Sequence, residues 1–83
     1  MSIRVGYYRH YKGMPYRVLG IAHDGDTLEE LVAYKPLYGG HGLSVRPLSK
    51  FTDMVERDGR LQPRFAFERE AEDVLTPFME QIS

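Results

Sequence analysis

Nine residues in this chain carry the groups that recognition chemistry uses: Tyr8, Arg9, His10, Tyr11, Lys12, Tyr34, Tyr38, His41 and Arg46. Tyrosine and arginine dominate binding hot spots. Flat tyrosine rings stack nucleic-acid bases or frame a peptide groove, and interleaved cations meet an anion. Each residue also has a plainer role. Tyrosine is a common half-buried strand residue with its hydroxyl at the rim. Arg46, flanked by Val45 and Pro47, reads equally as a structural cation paired with Glu29 or Glu30.

Catalytic groups are thinner. The histidines stand at 10, 23 and 41, without the i,i+4 spacing of a helical metal pair, and no cysteine supports them. A metal site would need all three to converge. Ser2, Ser44, Ser49 and Ser83 lie in no nucleophile elbow. Glu29 and Glu30 are adjacent, so on a strand they face opposite ways and form no carboxylate pair. Gly39-Gly40-His41-Gly42 lacks the lysine and following helix of a phosphate loop. Its backbone N–H groups can still meet an anion, although glycine is also the default turn residue. The sequence therefore assigns no catalytic residue, no metal and no cofactor. The enzymatic reading it leaves open uses His10 or His41 as general acid/base, oriented by Glu29 or Glu30.

These groups must be placed by a small scaffold. Eighty-three residues make one domain, and a chain this short buries only about 60% of its unfolded surface. The composition, 42% hydrophobic and 28% charged, is that of an ordinary soluble globular protein and excludes bulk disorder. The absence of cysteine excludes disulfide frameworks and suits a reducing cytosol, so a cytoplasmic location is expected. No apolar run is long enough for a membrane span, and Met-Ser-Ile-Arg-Val-Gly carries no signal-type apolar region. Charge is uneven. Residues 1–50 hold seven Lys/Arg against four Asp/Glu, a net +3, while residues 51–83 hold four against eight, a net −4. A basic face on an acidic-tailed body is consistent with an anionic partner, although +3 falls short of a dedicated nucleic-acid binder.

Along the chain, Tyr7–Tyr11 is expected as a strand with Tyr8 and His10 on one side and Tyr7, Arg9 and Tyr11 on the other. Lys12–Pro15 is a turn, with Gly13 supplying positive φ. Tyr16–His23 is a central strand with Leu19 and Ile21 on one face and Tyr16, Val18, Gly20 and Ala22 on the other, and Gly20 marks a bend or bulge. Asp24–Thr27 is a loop. Leu28–Tyr34 reads as a strand despite its helix-like opening Thr-Leu-Glu-Glu, because the run is short and stops at Pro36. Leu37–Gly42 is a loop, and Leu43–Leu48 is an edge strand limited by Pro47. Ser49 is placed as N-cap of one turn that turns Phe51 and Met54 inward. Val55–Leu61 is a hairpin closed by Asp58-Gly59, and Arg64–Phe67 a last strand with both phenylalanines on one face. Glu68–Leu75 reads as a helix, broken at Thr76-Pro77 and resumed to bury Phe78 and Ile82. The fold class expected is mainly β: a small, strongly bent antiparallel sheet or barrel with a C-terminal helical tail.

Several of these segments together resemble a known family. They are Tyr8-Arg9-His10-Tyr11-Lys12-Gly13, Tyr16-Arg17-Val18-Leu19-Gly20-Ile21-Ala22, Thr27-Leu28-Glu29-Glu30-Leu31-Val32, Leu37-Tyr38-Gly39, Val45-Arg46-Pro47-Leu48 and Pro63-Arg64-Phe65. In that order they are similar to the bacterial "domain of unknown function 1653" family, over roughly residues 6–67. The resemblance implies an SH3-like barrel and no assigned activity. Ser44 stands where the family often carries a large apolar or aromatic residue, and the tail after Phe67 lies outside the matched region. The division expected is residues 1–67 as the barrel and residues 68–83 as an acidic amphipathic helical tail packed on it. The leading functional expectation is a non-enzymatic binding module whose Tyr/Arg/His face holds a nucleic-acid strand or a peptide. A third reading makes the tail a homodimer contact.

Overall fold

The computed structural model describes residues 3–40 and 42–72. The elements, in order, are β1 (Gly6–His10), β2 (Pro15–His23), β3 (Glu30–Pro36), β4 (Ser44–Pro47), α1 (Leu48–Phe51), β5 (Met54–Arg57), β6 (Arg60–Pro63) and β7 (Phe65–Glu70). The chain is thus mainly β. Five strands form one antiparallel sheet in the order β4-β3-β2-β1-β7, and β5 and β6 form a separate hairpin. No helix among the described residues is long and apolar enough to cross a membrane.

The turns follow their local chemistry. Gly13, at φ +102, lets the β1–β2 turn close with its N–H donating to the His10 carbonyl at 2.7 Å. Asp58 and Gly59 both take positive φ, as a two-residue hairpin turn requires. Between β2 and β3 the Asp24 carboxylate accepts from the N–H groups of Asp26 and Thr27, each at 2.9 Å. That loop corrects the expected start of β3. Leu28 sits at φ +61, donates to the Asp24 carbonyl and is 73% exposed, so neither it nor Glu29 enters the ladder.

A bulge sets the faces of β2. Val18 pairs with Tyr34 and Gly20 with Ala33, so Leu19 is the extra residue. Gly20, at φ +154, supplies the backbone this needs. The bulge also corrects the simple alternation: Ile21 pairs with buried Val32 and joins the core face of Tyr16 and Val18, while Gly20 and Ala22, expected on that face, pair with Ala33 and Leu31 on the other. A second register shift falls between Tyr7, paired with Arg69, and Tyr8, paired with Phe67. Glu68 is the extra residue there. The same pairing overturns the helix expected from Glu68, because the ladder with β1 carries β7 to Glu70 and outweighs helical propensity. Residues 73–83, with the expected second helix, lie outside the described residues.

The core consists of Tyr8, Tyr16, Val18, Val32, Tyr34, Leu48, Phe51 and Phe65. Phe51 of α1 stacks on Phe65 of β7 with ring centroids 4.1 Å apart and planes within 1°. Pro47 ends β4 and α1 opens directly after it, so Ser49 lies inside the helix and is not its cap. Phe51 is buried as expected, but Met54 falls on β5 and is 53% exposed. The bidentate Arg64–Asp53 pair, at 2.7 and 3.2 Å, ties the segment after α1 to the start of β7.

Gly6 is the position where this packing leaves no room. A Cβ there would overlap the Arg69 carbonyl oxygen and come within 2.8 Å of the Phe67 ring. Gly6→Ala is therefore expected to cost about 1–3 kcal/mol in urea unfolding, as overpacking does. Gly25→Ala, with nothing within 4 Å of its Cβ, is the control and should change stability by less than about 0.5 kcal/mol.

Candidate functional site at the sheet rim

The structure divides the nine candidate residues. Tyr8 and Tyr34 are core residues, 5% and 7% exposed. The Tyr8 hydroxyl is spent internally, donating to the Arg4 carbonyl at 2.7 Å. Arg9 is engaged by its neighbours: it donates to the Gly13 carbonyl at 2.9 Å and to both Glu68 carboxylate oxygens at 3.3 Å. His41 lies outside the described residues. His10, Tyr11, Lys12, Tyr38 and Arg46 remain, and the fold gathers them at the end of the sheet where β1 turns into β2 and β3 leaves toward β4.

His10 anchors this rim. It closes β1 opposite Phe65, whose ring meets its imidazole edge-on at 5.0 Å. The Tyr11 ring lies 4.5 Å away and the Tyr16 ring 6.0 Å away. The Lys12 N–H donates to His10 Nδ1 at 3.1 Å, which requires that nitrogen to be unprotonated. Burial, and then the charges of Arg64, Lys12 and Arg46, hold the imidazole pKa below its usual value, so the ring is neutral.

Tyr16, which the sequence reading leaves out of the site, connects the rim to the core. Its ring is buried between Phe65 at 5.0 Å and Tyr34 at 5.7 Å. Its hydroxyl shares a 2.7 Å hydrogen bond with the Tyr38 hydroxyl. Burial and that hydrogen bond push the Tyr16 pKa up to about 12. Tyr38 is 36% exposed and lines a depression of about 300 Å³ with Lys35, Pro36, Leu37 and the Gly39-Gly40 backbone. Both glycines have positive φ, as a sharp return from β3 requires.

Arg46 is not the partner of Glu29 or Glu30. It pairs across the sheet with Val32, and its guanidinium lies 5.7 Å from the Phe65 ring. Glu30 stands only two residues from Val32 on β3, yet forms no ion pair with Arg46; from the rim it is distant, since it pairs with His23, seven residues from Tyr16 and hence roughly 23 Å along β2. Glu29 lies in the loop beyond it. The Arg46 side chain reaches His10 and Tyr16 closely enough for its charge to lower both pKa values. Its Nε is buried without a hydrogen-bond partner. On the Tyr11 side, Arg57 donates to the Tyr11 carbonyl at 3.1 Å, and Lys12 Nζ and the Arg57 guanidinium lie within 6 Å of the ring.

The rim is therefore rich in aromatic faces and hydrogen-bond donors. The acid/base arrangement does not assemble around His10, because the charges that act on it are cationic and Glu29 and Glu30 are at the opposite end of the hairpin. Convergence of three histidines also fails, since His23 pairs with Glu30 at that far end. No group of three potential metal ligands occurs among the described residues. Sequence reasoning missed Tyr16, Arg57 and Arg64. The position of Tyr16 directly across from Tyr8 is legible only once the turn is registered.

Comparison with known proteins adds family and fold. The model of the family "Protein of unknown function (DUF1653)" matches residues 6–67. The crystal structure of a DUF1653 protein from Bordetella bronchiseptica is similar at 39% sequence identity and a TM-score of 0.76, covering 84% of this chain and 92% of that one. No curated protein matches.

The depressed His10 pKa has a consequence for stability. The unfolded chain binds a proton near pH 6.5 while the folded chain resists it, so this contribution is present above pH 6.5 and is lost as pH falls toward the folded value. His10→Asn is expected to flatten the decline in Tm between pH 7 and pH 5 relative to the native chain. An unchanged decline would place the acid sensitivity elsewhere.

Proposed function

We infer that the chain, which belongs to the DUF1653 family, is a non-enzymatic binding module: an SH3-like barrel whose aromatic, cationic rim holds an anionic, extended ligand. The barrel reading is supported by a five-stranded antiparallel sheet with two bulges and by α1 packed onto its inner face through Phe51. One observation carries the ligand reading. Arg46 brings a buried Nε without a hydrogen-bond partner to a rim of donors and neutral rings, where the one carboxylate among the described residues that its charge is seen to act on, Asp53, is already paired with Arg64. A guanidinium has donors only, so the group that completes it is an acceptor, and its charge favours an anionic one.

A single-stranded nucleic acid fits this chemistry first. Phosphate oxygens would meet Arg46, Lys12 and Arg57, and bases would stack on His10, Tyr11 and Tyr38. An acidic peptide offers the same acceptors without the stacking, and a salt titration separates the two. With three phosphate contacts, log K should fall against log salt with a slope of about −2. A shallow slope together with tight peptide binding would move the reading to peptide.

Arg46→Met keeps an apolar stem over Phe65 and removes the donors. It is expected to weaken binding of a short oligonucleotide, read by fluorescence anisotropy, by about tenfold or more, which is about 1.4 kcal/mol. Equal affinity of the variant and the native chain would remove Arg46, and with it this reading, from the rim.

A further inference from the structure

β7 ends the five-stranded sheet. β1 pairs with it on one side, and among the described residues no strand pairs with it on the other. The hydrogen bonds of β1 show which residues of β7 face that open side. His10 turns its backbone toward β2, donating to the Met14 carbonyl at 2.8 Å and accepting from the Gly13 N–H at 2.7 Å, whereas the Tyr11 N–H donates to the Arg64 carbonyl at 3.0 Å. That carbonyl therefore faces β1. Successive residues of a ladder alternate in direction, so Ala66 also faces β1, while Phe65 and Phe67 aim their N–H and C=O groups at the open side. Beyond Phe67 the edge is protected in two ways: Glu68 is a bulge residue, and Glu68, Arg69 and Glu70 are charged. Residues 65–67 carry neither device.

This unprotected half of the edge adjoins a groove of about 540 Å³, within the size range of ligand pockets. Tyr8, Phe51, Phe65 and Phe67 line it from the sheet and α1, and Met54 and Pro63 line it from the β5–β6 hairpin. The polar side chains along it are already engaged. The Thr52 hydroxyl donates to the Leu48 carbonyl at 2.9 Å, the Tyr8 hydroxyl to the Arg4 carbonyl at 2.7 Å, and the Arg4 guanidinium to Glu70 at 2.8 Å. What the groove offers a ligand is apolar surface and the backbone groups of Phe65 and Phe67. None of the rim residues around Arg46 lines it. It opens on the core side of the sheet, apart from the outer face of Ala22, Leu31 and Ala33.

We propose that the Phe65–Phe67 edge of β7 takes up an extended segment of a protein partner as an added strand, with one large apolar side chain of that segment seated in the groove. Main-chain bonds along a sheet edge supply affinity in this mode and a side-chain pocket supplies selectivity. The occupant is extended because only an extended backbone matches the donors and acceptors of Phe65 and Phe67. It is apolar because the groove holds no unengaged charge. Cross-strand partners share a face, so the residue that pairs with Phe67 sends its side chain to the core side, into the groove. This inference is independent of the anionic ligand proposed for the rim.

The test uses the full isotope-labelled chain and an acetylated, amidated pentapeptide, Thr-Val-Phe-Val-Thr. In the free chain the Phe67 amide should exchange with solvent faster than the Ala66 amide. The peptide should shift the signals of Thr52, Met54, Phe65 and Phe67 and slow the exchange at Phe67. Replacing its central Phe with Ala should weaken binding by about tenfold or more, the loss expected for one large apolar side chain. N-methylation of the central amide should abolish the shifts. Met54 is 53% exposed, so Met54→Glu should leave the thermal unfolding unchanged and weaken binding. A Phe67 amide already protected in the free chain would show the edge to be covered and overturn the proposal. So would equal binding of the N-methylated peptide, shifts confined to His10–Lys12 and Tyr38, or no shifts up to millimolar peptide. A dimer in sedimentation that Met54→Glu dissolves would give the groove to a second copy and likewise overturn it.

Discussion

The parallel stack of Phe51 on Phe65, 4.1 Å between centroids, is the contact on which the rest of the molecule depends. A domain this small has few ways to bury a sheet face. Here a four-residue helix carries one fully buried ring onto the last strand. Phe65 in turn touches Tyr16 and Tyr34 within 6.0 Å and meets His10 and the Arg46 guanidinium at the rim. An aromatic pair contributes about 0.5–1.5 kcal/mol beyond its buried area. A ring with several such neighbours therefore links core stability to the geometry of the rim.

That link explains the character of the rim. A buried tyrosine hydroxyl needs a partner, and the Tyr16 hydroxyl finds it by sharing a hydrogen bond with that of Tyr38. His10 is kept neutral because burial and three cations oppose its proton. The exposed ion pairs Arg4–Glu70 and Arg9–Glu68 lie along β7 and add little to stability. Arg64 is satisfied by Asp53, whose carboxyl the guanidinium holds below the usual carboxylate range. Arg46 forms no such ion pair among the described residues, although its charge also reaches Asp53. The proposed binding surface rests on the contrast between these two arginines, one closed by a carboxylate and one with an Nε that has no hydrogen-bond partner.

Much of the scaffold was legible in the sequence. Gly13, Asp24-Gly25 and Asp58-Gly59 marked their turns because turn chemistry is local, and Gly20 marked its bulge. The consequences of the bulge were not legible, since one extra residue reverses the faces after it and put Ile21 on the core side. The strand to Glu70 was hidden for a different reason: Glu68–Glu70 favours helix locally, and only pairing with Gly6 and Tyr7 makes it a strand. At the site, residue type pointed to the rim but could not rank the tyrosines. Tyr8, Tyr16 and Tyr34 are all buried where their strands pair, whereas Tyr38 stands in the loop after β3 and is 36% exposed, a difference no single-residue signal carries. Arg46 was expected to pair with Glu29 or Glu30; Glu30 does stand two residues from its cross-strand partner Val32, but the guanidinium turns toward the Phe65 ring instead.

The central claim is that the rim around Arg46 meets an anionic ligand. It is tested most directly by an amide NMR titration of the isotope-labelled chain with a short random-sequence single-stranded oligonucleotide at low salt. The account predicts shifts concentrated on His10–Lys12, Tyr38–Gly40 and Arg46, with the outer-face residues Ala22, Leu31 and Ala33 unchanged. Shifts confined to the outer face, or no shifts up to millimolar oligonucleotide, would contradict it.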